Sequence, residues 1–202
     1  MAKKENYFIA LSKENVISPL VKEFSLEEIP AVEDLFIPLV RTIVFQQLSG
    51  KAASTIFGRF EGLFENDVDP FQLIDIDHET LRSVGLSNQK AKYVKNIAHF
   101  FIENSDLNGN WSSLSDQEIL DHLTSIKGVG VWTAQMILIF YLSRSDIFPT
   151  SDLGVQKGMI ALFDIKEEKK ELLLKIERLS DRWKPYRSYV TRLLYRFLDN
   201  SV

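Results

Sequence analysis

Apolar residues recur along this chain at helical spacing, and strand-like alternation is nearly absent. Phe36, Leu39, Val40, Ile43, Val44 and Leu48 form a stripe at i, i+3, i+4 and i+7, one face of an amphipathic helix. Ser49-Gly50 breaks it, and a second helical pattern runs from about Lys51 to Phe64. Ser87 sits as an N-cap before a helix bearing Tyr93, Val94, Ile97, Ala98 and Phe101. Ser115 and Glu118 match a capping box, in which each side chain meets the other residue's backbone N–H, opening a helix through Leu123. Further helices are predicted over about 131–142, from just after Asp152 to Phe163, and over 167–179 and 185–198. The last places Pro185 in its first turn, where a missing N–H costs little.

The fold class that follows is all-α, compatible with a two-lobed helical body and a central cleft. Glycine and proline fall mainly between the helical segments, and no linker is long enough to separate independent domains. One module over 1–202 is expected. Its central lobe covers about 36–150, and its second lobe is formed by 1–35 with 151–202.

With 202 residues and 45% apolar content, the chain can bury a full core. Its richest apolar stretch, Met136 to Leu142, is far too short to span a bilayer, and MAKKENYF lacks the apolar segment of a secretory signal. A soluble cytoplasmic protein is the expectation. The absence of cysteine excludes disulfides, zinc fingers, thiol catalysis and cysteine-ligated iron–sulfur clusters. His78, His99 and His122 are far apart and form no metal-binding pair, so a transition-metal site is not expected. A net charge of −4 argues mildly against a DNA partner, but basic residues dominate Arg182 to Arg196, so a local face decides the question.

Candidate chemistry concentrates between Leu123 and Asp152. Lys127-Gly128-Val129-Gly130 is a glycine turn between two helical patterns, and its backbone N–H groups at the next helix start could grip a phosphate. The same four residues also suit an ordinary tight turn between helices. Asp152 opens the following helix, where an Asp is a favoured N-cap. A carboxylate at that place could equally face positive charge developing on a sugar. Position alone does not separate the two roles.

The segments IKGVGVWTA and DIFPTSDLGV resemble the hairpin and downstream catalytic Asp of the helix-hairpin-helix (HhH-GPD) DNA glycosylase superfamily. More narrowly they are similar to the 3-methyladenine DNA glycosylase II (AlkA-like) branch. LVRTIVFQQLSGKAASTI, LRSVGLSNQKAKYVKNIA and WKPYRSYVTRLLYR support that branch, so the resemblance covers about Phe36 to Arg196. It implies base excision repair of damaged double-stranded DNA, with alkylated purines such as 3-methyladenine and 7-methylguanine as substrates. It also implies a monomer, no required cofactor, no iron–sulfur cluster and no N-terminal β domain of the kind carried by longer relatives.

The resemblance further assigns roles. Asp152 is the catalytic carboxylate. Relatives that cut the backbone as lyases carry a Lys where this chain has Trp132, so hydrolysis without lyase activity is implied. Trp132, Trp183, Tyr186 and Phe45 are candidates for an aromatic base pocket, with Tyr141 behind them. Core packing is the competing role for each. Gln46, Gln47 and Leu48 match the segment that enters the gap left by a flipped base, with Gln47 foremost. Their competing role is helix capping and packing. Backbone carbonyls of Thr124, Ile126 and Val129 match a monovalent cation site (Na+ or K+). Lys51, Lys127, Lys157, Arg187 and Arg192 are candidate phosphate contacts. Two rival functions remain open at this point: a non-catalytic hairpin DNA-binding module, and a glycosylase for oxidised or deaminated bases.

Overall fold

The computed structural model describes residues 2–200, and no strand occurs among them. In chain order the α-helices are α1 (Ala2–Leu11), α2 (Ser18–Glu23), α3 (Phe36–Phe45), α4 (Gly50–Glu61), α5 (Pro70–Asp75) and α6 (His78–Ser83). They continue with α7 (Asn88–Glu103), α8 (Asp116–Ser125), α9 (Val131–Phe140), α10 (Leu153–Phe163), α11 (Lys169–Ser180) and α12 (Arg187–Asp199). Short 3-10 turns at Ser105–Leu107, Trp111–Ser113 and Asp181–Trp183 link some of them.

The chain divides into two compact units. One is Ala31–Leu142; the other joins Met1–Pro30 to Ser143–Val202. In the first, α7 packs on α3, α5 and α6, while α3 also meets α4 and α9. The stripe read from the sequence supplies the core, since Leu39, Val40, Ile43 and Val44 of α3 are 0% exposed. Ala91, Val94, Ile97 and Ala98 of α7 complete it at the same level of burial. Helix α9 is apolar nearly all round, as a helix sunk into a core must be.

The second unit is built on α10 and α12, with α2 and α11 against them. Val155, Met159, Ile176, Val190, Leu193 and Leu194 form its centre. Gly158 lets these helices approach closely, because a Cβ there would stand 2.9 Å from Leu194 Cδ2.

Local caps fix several helix starts. Ser87 accepts from Lys90 N–H at 3.2 Å, and the Ser115–Glu118 capping box is complete in both directions. Each such cap stabilises its helix by about 1 kcal/mol. Three of the boundaries that differ from the sequence reading have a local cause or consequence. Helix α3 ends at Phe45 rather than reaching Leu48, because Gln46 turns extended (ψ 133°) and Gln47 adopts φ +58°. Helix α4 stops at Glu61, capped by Gly62. Helix α12 begins at Arg187, so Pro185 lies in the approach to the helix and not in its first turn. Helices α5 and α6 had no place in the sequence reading, although Asp69-Pro70 and Asp77 are their N-cap signals.

Candidate active site

Helix α8 ends at Ser125, and the chain turns through 126–130 into α9. The turn is closed by the Val129 N–H donating to the Ile126 carbonyl at 2.9 Å. Gly128 has φ +107°, and a Cβ on it would lie 2.2 Å from Tyr93 Cδ1. Both the backbone angle and the aromatic floor beneath it therefore demand glycine. Gly130 is different. Its backbone is extended (φ −92°, ψ 170°), and a Cβ there would meet nothing within 4 Å. No side chain caps the start of α9, which opens at a bare glycine. Such a helix start favours an anion. Lys127 is exposed beside it, and its carbonyl accepts from Asn96 Nδ2 at 2.8 Å.

Trp132 is half-buried on the first turn of α9. Next to it, Thr133 is 2% exposed, and its hydroxyl accepts from Gln46 Nε2 at 2.8 Å. Gln46 is thereby turned back towards α9, while Gln47 is exposed in the left-handed region and Leu48 is 39% exposed. Lys90 reaches the same turn, donating to the carbonyls of Val44 (2.8 Å) and Gln46 (2.6 Å).

Asp152 is the N-cap of α10, with Oδ1 accepting from Val155 N–H at 2.8 Å. The capping role considered from sequence is thus present. The carboxylate also accepts a hydrogen bond from the Tyr195 hydroxyl of α12. Burial pushes the Tyr195 phenol far above the ordinary tyrosine range, and the Asp152 charge and the hydrogen bond to it push the same way. Tyr195 therefore stays protonated and remains a donor at any physiological pH. Gly154 makes the pair possible, since a Cβ there would lie 2.9 Å from Tyr195 Cε1 and 3.0 Å from Asp152 Oδ1.

Trp183 is 1% exposed and packs against Phe148 and Phe163 at 5.7 and 5.9 Å, in the core of its unit. Tyr186 is half-buried at the start of α12, 6.1 Å from the Tyr189 ring. Phe45 is half-buried under the Arg41 guanidinium, 4.2 Å from its ring centroid, and beside Phe57. Tyr141 is half-buried at the end of α9, its carbonyl accepting from Val32 N–H at 2.8 Å.

Two of the basic candidates are engaged within the protein. Arg187 grips Asp146 through Nε at 2.7 Å and Nη2 at 3.0 Å, with the Asp146 carbonyl at 3.1 Å. Arg192 donates to the Glu27 carbonyl, and burial lowers its pKa. Lys51, Lys127 and Lys157 are exposed. No cluster of three or more His, Asp or Glu suited to a metal occurs among the described residues.

Tyr195, Lys90, Tyr93 and Asn96 are contributors that sequence reasoning did not single out as site residues. Each acts on a turn distant in the chain, which leaves no local signature.

A family model described as HhH-GPD superfamily base excision DNA repair protein matches residues 40–185. The chain belongs to this superfamily. Its HhH-GPD fold is close to that of 3-methyladenine DNA glycosylase (Mag1) of Schizosaccharomyces pombe, solved in complex with abasic DNA. That similarity has a TM-score of 0.81 at 29% identity and covers 95% of each chain. DNA-3-methyladenine glycosylase of Saccharomyces cerevisiae is 31% identical over 95% of this chain and 78% of its own. DNA-3-methyladenine glycosylase 1 of S. pombe is 38% identical over 59% of this chain, a match that spans 54% of that relative's own length. No helix among the described residues is long and apolar enough to cross a membrane.

Proposed function

We propose that this HhH-GPD protein is a DNA glycosylase that removes alkylated purines, 3-methyladenine foremost and 7-methylguanine second, from double-stranded DNA. The observation that carries the reading is Asp152, a carboxylate fixed at a helix start by one backbone N–H and one tyrosine hydroxyl. The names of the S. pombe and S. cerevisiae relatives support the substrate class.

The mechanism follows from the leaving group. Alkylation at N3 or N7 makes the purine cationic, so the bond from C1′ to the base nitrogen weakens and its electron pair leaves with a neutral base. No general acid is required. The sugar left behind is oxocarbenium-like, and the Asp152 carboxylate stabilises it electrostatically. Asp152 orients the attacking water, which bonds to C1′ through oxygen and gives a proton to the carboxylate. An abasic site results. Trp132 has no amine to attack C1′, which supports hydrolysis without lyase chemistry.

Reaching the bond requires the nucleotide to leave the stack, at a cost of a few kcal/mol. The hairpin at 127–130 would hold the backbone by its phosphate, and the 46–48 turn would fill the vacated space. With Gln46 tied to Thr133, Gln47 and Leu48 are the side chains displayed for that role. Trp132 is the foremost candidate to stack on the cationic base, worth roughly 0.5–2 kcal/mol, with Tyr186 second. Trp183 and Phe45 are not proposed to stack on the base. The first is sealed in a core, and the second lies under Arg41. The Thr124, Ile126 and Val129 carbonyls would suit a hard monovalent cation. Ile126 already accepts one N–H there and keeps a second lone pair.

Single-turnover release of free 3-methyladenine from methylated duplex DNA tests the reading, with wild type set against Asp152→Asn. Release by wild type alone supports it. Because Asp152 also caps α10, a binding module is the competing reading. Salt-sensitive DNA binding by both proteins without release by either would favour that one.

A further inference from the structure

The two turns assigned to DNA above are held by a single helix. Lys90, Tyr93 and Asn96 follow each other at three-residue intervals on α7, so they line one side of it over about 9 Å, at 1.5 Å per residue. Lys90 Nζ holds the carbonyls of Val44 and Gln46, at the end of α3 and the entry to the 46–48 turn. The Tyr93 ring lies directly under Gly128. Asn96 Nδ2 holds the carbonyl of Lys127. Gln46 closes the circuit by donating to Thr133, on the first turn of α9.

This arrangement exceeds what helix capping needs. The last carbonyls of α3 carry partial negative charge, and an ammonium there is favourable. Yet Lys90 is half-buried, and burial lowers its pKa, so the charge is held against a desolvation cost. Immediately beyond its grip, Gln47 occupies φ +58°, a conformation that persists in a non-glycine residue only where the flanks are pinned. Pinning comes from Lys90 on the backbone and from Thr133 on the Gln46 side chain.

Resting on the wedge and hairpin assignments of the proposed function, we propose that α7 is a ruler. Lys90 is a positioning residue that sets where the 46–48 turn presents Gln47 and Leu48, in register with the hairpin held by Tyr93 and Asn96. A phosphate gripped at 128–130 then gives the turn a fixed support to push against when a nucleotide is driven from the stack. Without Lys90 the hairpin would still bind DNA, but the turn would enter it poorly.

The test reads unstacking apart from bond cleavage. A duplex carrying 2-aminopurine opposite an abasic-site analogue brightens when that base unstacks. At saturating protein, wild type should raise the fluorescence and Lys90→Met should raise it far less. Duplex affinity, set by phosphate contacts, is retained. In parallel, the ratio of base release from duplex to release from single-stranded DNA should fall about tenfold in Lys90→Met, as expected for a misplaced positioning group. Should Lys90→Met lose cooperative unfolding, Lys90→Gln keeps one donor and carries the same comparison, with an intermediate loss expected.

Unstacking equal to wild type, or equal proportional losses on duplex and single strand, would overturn the ruler. A wild-type protein that unstacks the base while releasing none, with Lys90→Met failing to unstack, would support the ruler and remove the glycosylase reading. A wild type that binds DNA without unstacking removes both.

Discussion

The Tyr195 hydroxyl donates to the Asp152 carboxylate from the neighbouring helix, through a gap that only Gly154 leaves open. A carboxylate held from two directions cannot swing, and orientation is part of what a nucleophilic water needs. Tyr195→Phe should lower the maximal single-turnover rate of base release about tenfold, the worth of one hydrogen bond to a charged group. The protein concentration at half-maximal rate should not move. A rate within twofold of wild type would show that the Tyr195 hydroxyl is not needed to orient Asp152.

Gly128 and Gly130 should respond differently to the same change. Gly128→Ala combines a positive φ with a collision on Tyr93, and should destabilise by about 1–3 kcal/mol. Gly130→Ala meets open space on extended backbone and should leave thermal stability nearly unaltered. Thermal melts of both variants decide this, and equal losses would mean that the turn relaxes around either side chain.

Alkaline stability carries a sign that can be worked out. Burial is the largest cause raising the pKa values of Tyr7, Tyr189 and Tyr195 above the ordinary value near 10. Above that pH the unfolded tyrosines ionise while the folded ones keep their protons. The folded state then binds more protons, so stability is complete below about pH 10 and is lost as pH rises towards the folded values. Lys90 has the opposite sign: its folded value is lowered, so stability gains as pH approaches the ordinary lysine value. Three groups against one leave a net loss. Urea midpoints between pH 8 and 11 should fall, and Tyr195→Phe should flatten the slope by up to about 1.4 kcal/mol per pH unit. An unchanged slope would place the Tyr195 proton elsewhere.

Arg187 should prove structural. Its fork on Asp146 is largely sheltered, with side-chain exposures of 21% and 29%. Arg187→Met leaves a sheltered carboxylate without its partner and should destabilise by about 1–3 kcal/mol. The salt dependence of DNA binding should keep its slope, whereas Lys127→Met should reduce it by about one phosphate contact. A reduced slope for Arg187→Met would return it to the DNA face.

What could be read from the sequence was what is local. The α3 stripe, the Ser87 cap, the Ser115–Glu118 box and the helix start at Asp152 all lie within one or two turns of chain. Their physics is complete at that range. Gly128 was legible for the same reason, although the Tyr93 ring that makes it obligatory was not. Partnerships across the chain had no such signal. Nothing near Asp152 announces Tyr195, and nothing near Gln46 announces Lys90 or Thr133. Aromatic residues were the hardest to place, because an indole suits a pocket and a core equally well. Trp183 went to the core, where Phe148 and Phe163 receive it. Phe45 was half-legible, since Arg41 lies four residues earlier on the same helix, the spacing at which side chains meet.

The chain contains three tryptophans, and their burial divides them sharply. Trp111 and Trp183 are 0% and 1% exposed, whereas Trp132 is half-buried at the start of α9. Acrylamide added to the native protein should therefore quench one indole and spare two. Emission from the intact, unlabelled protein becomes an optical gauge seated on the hairpin helix, and a lesion stacked on Trp132 would be seen as it arrives.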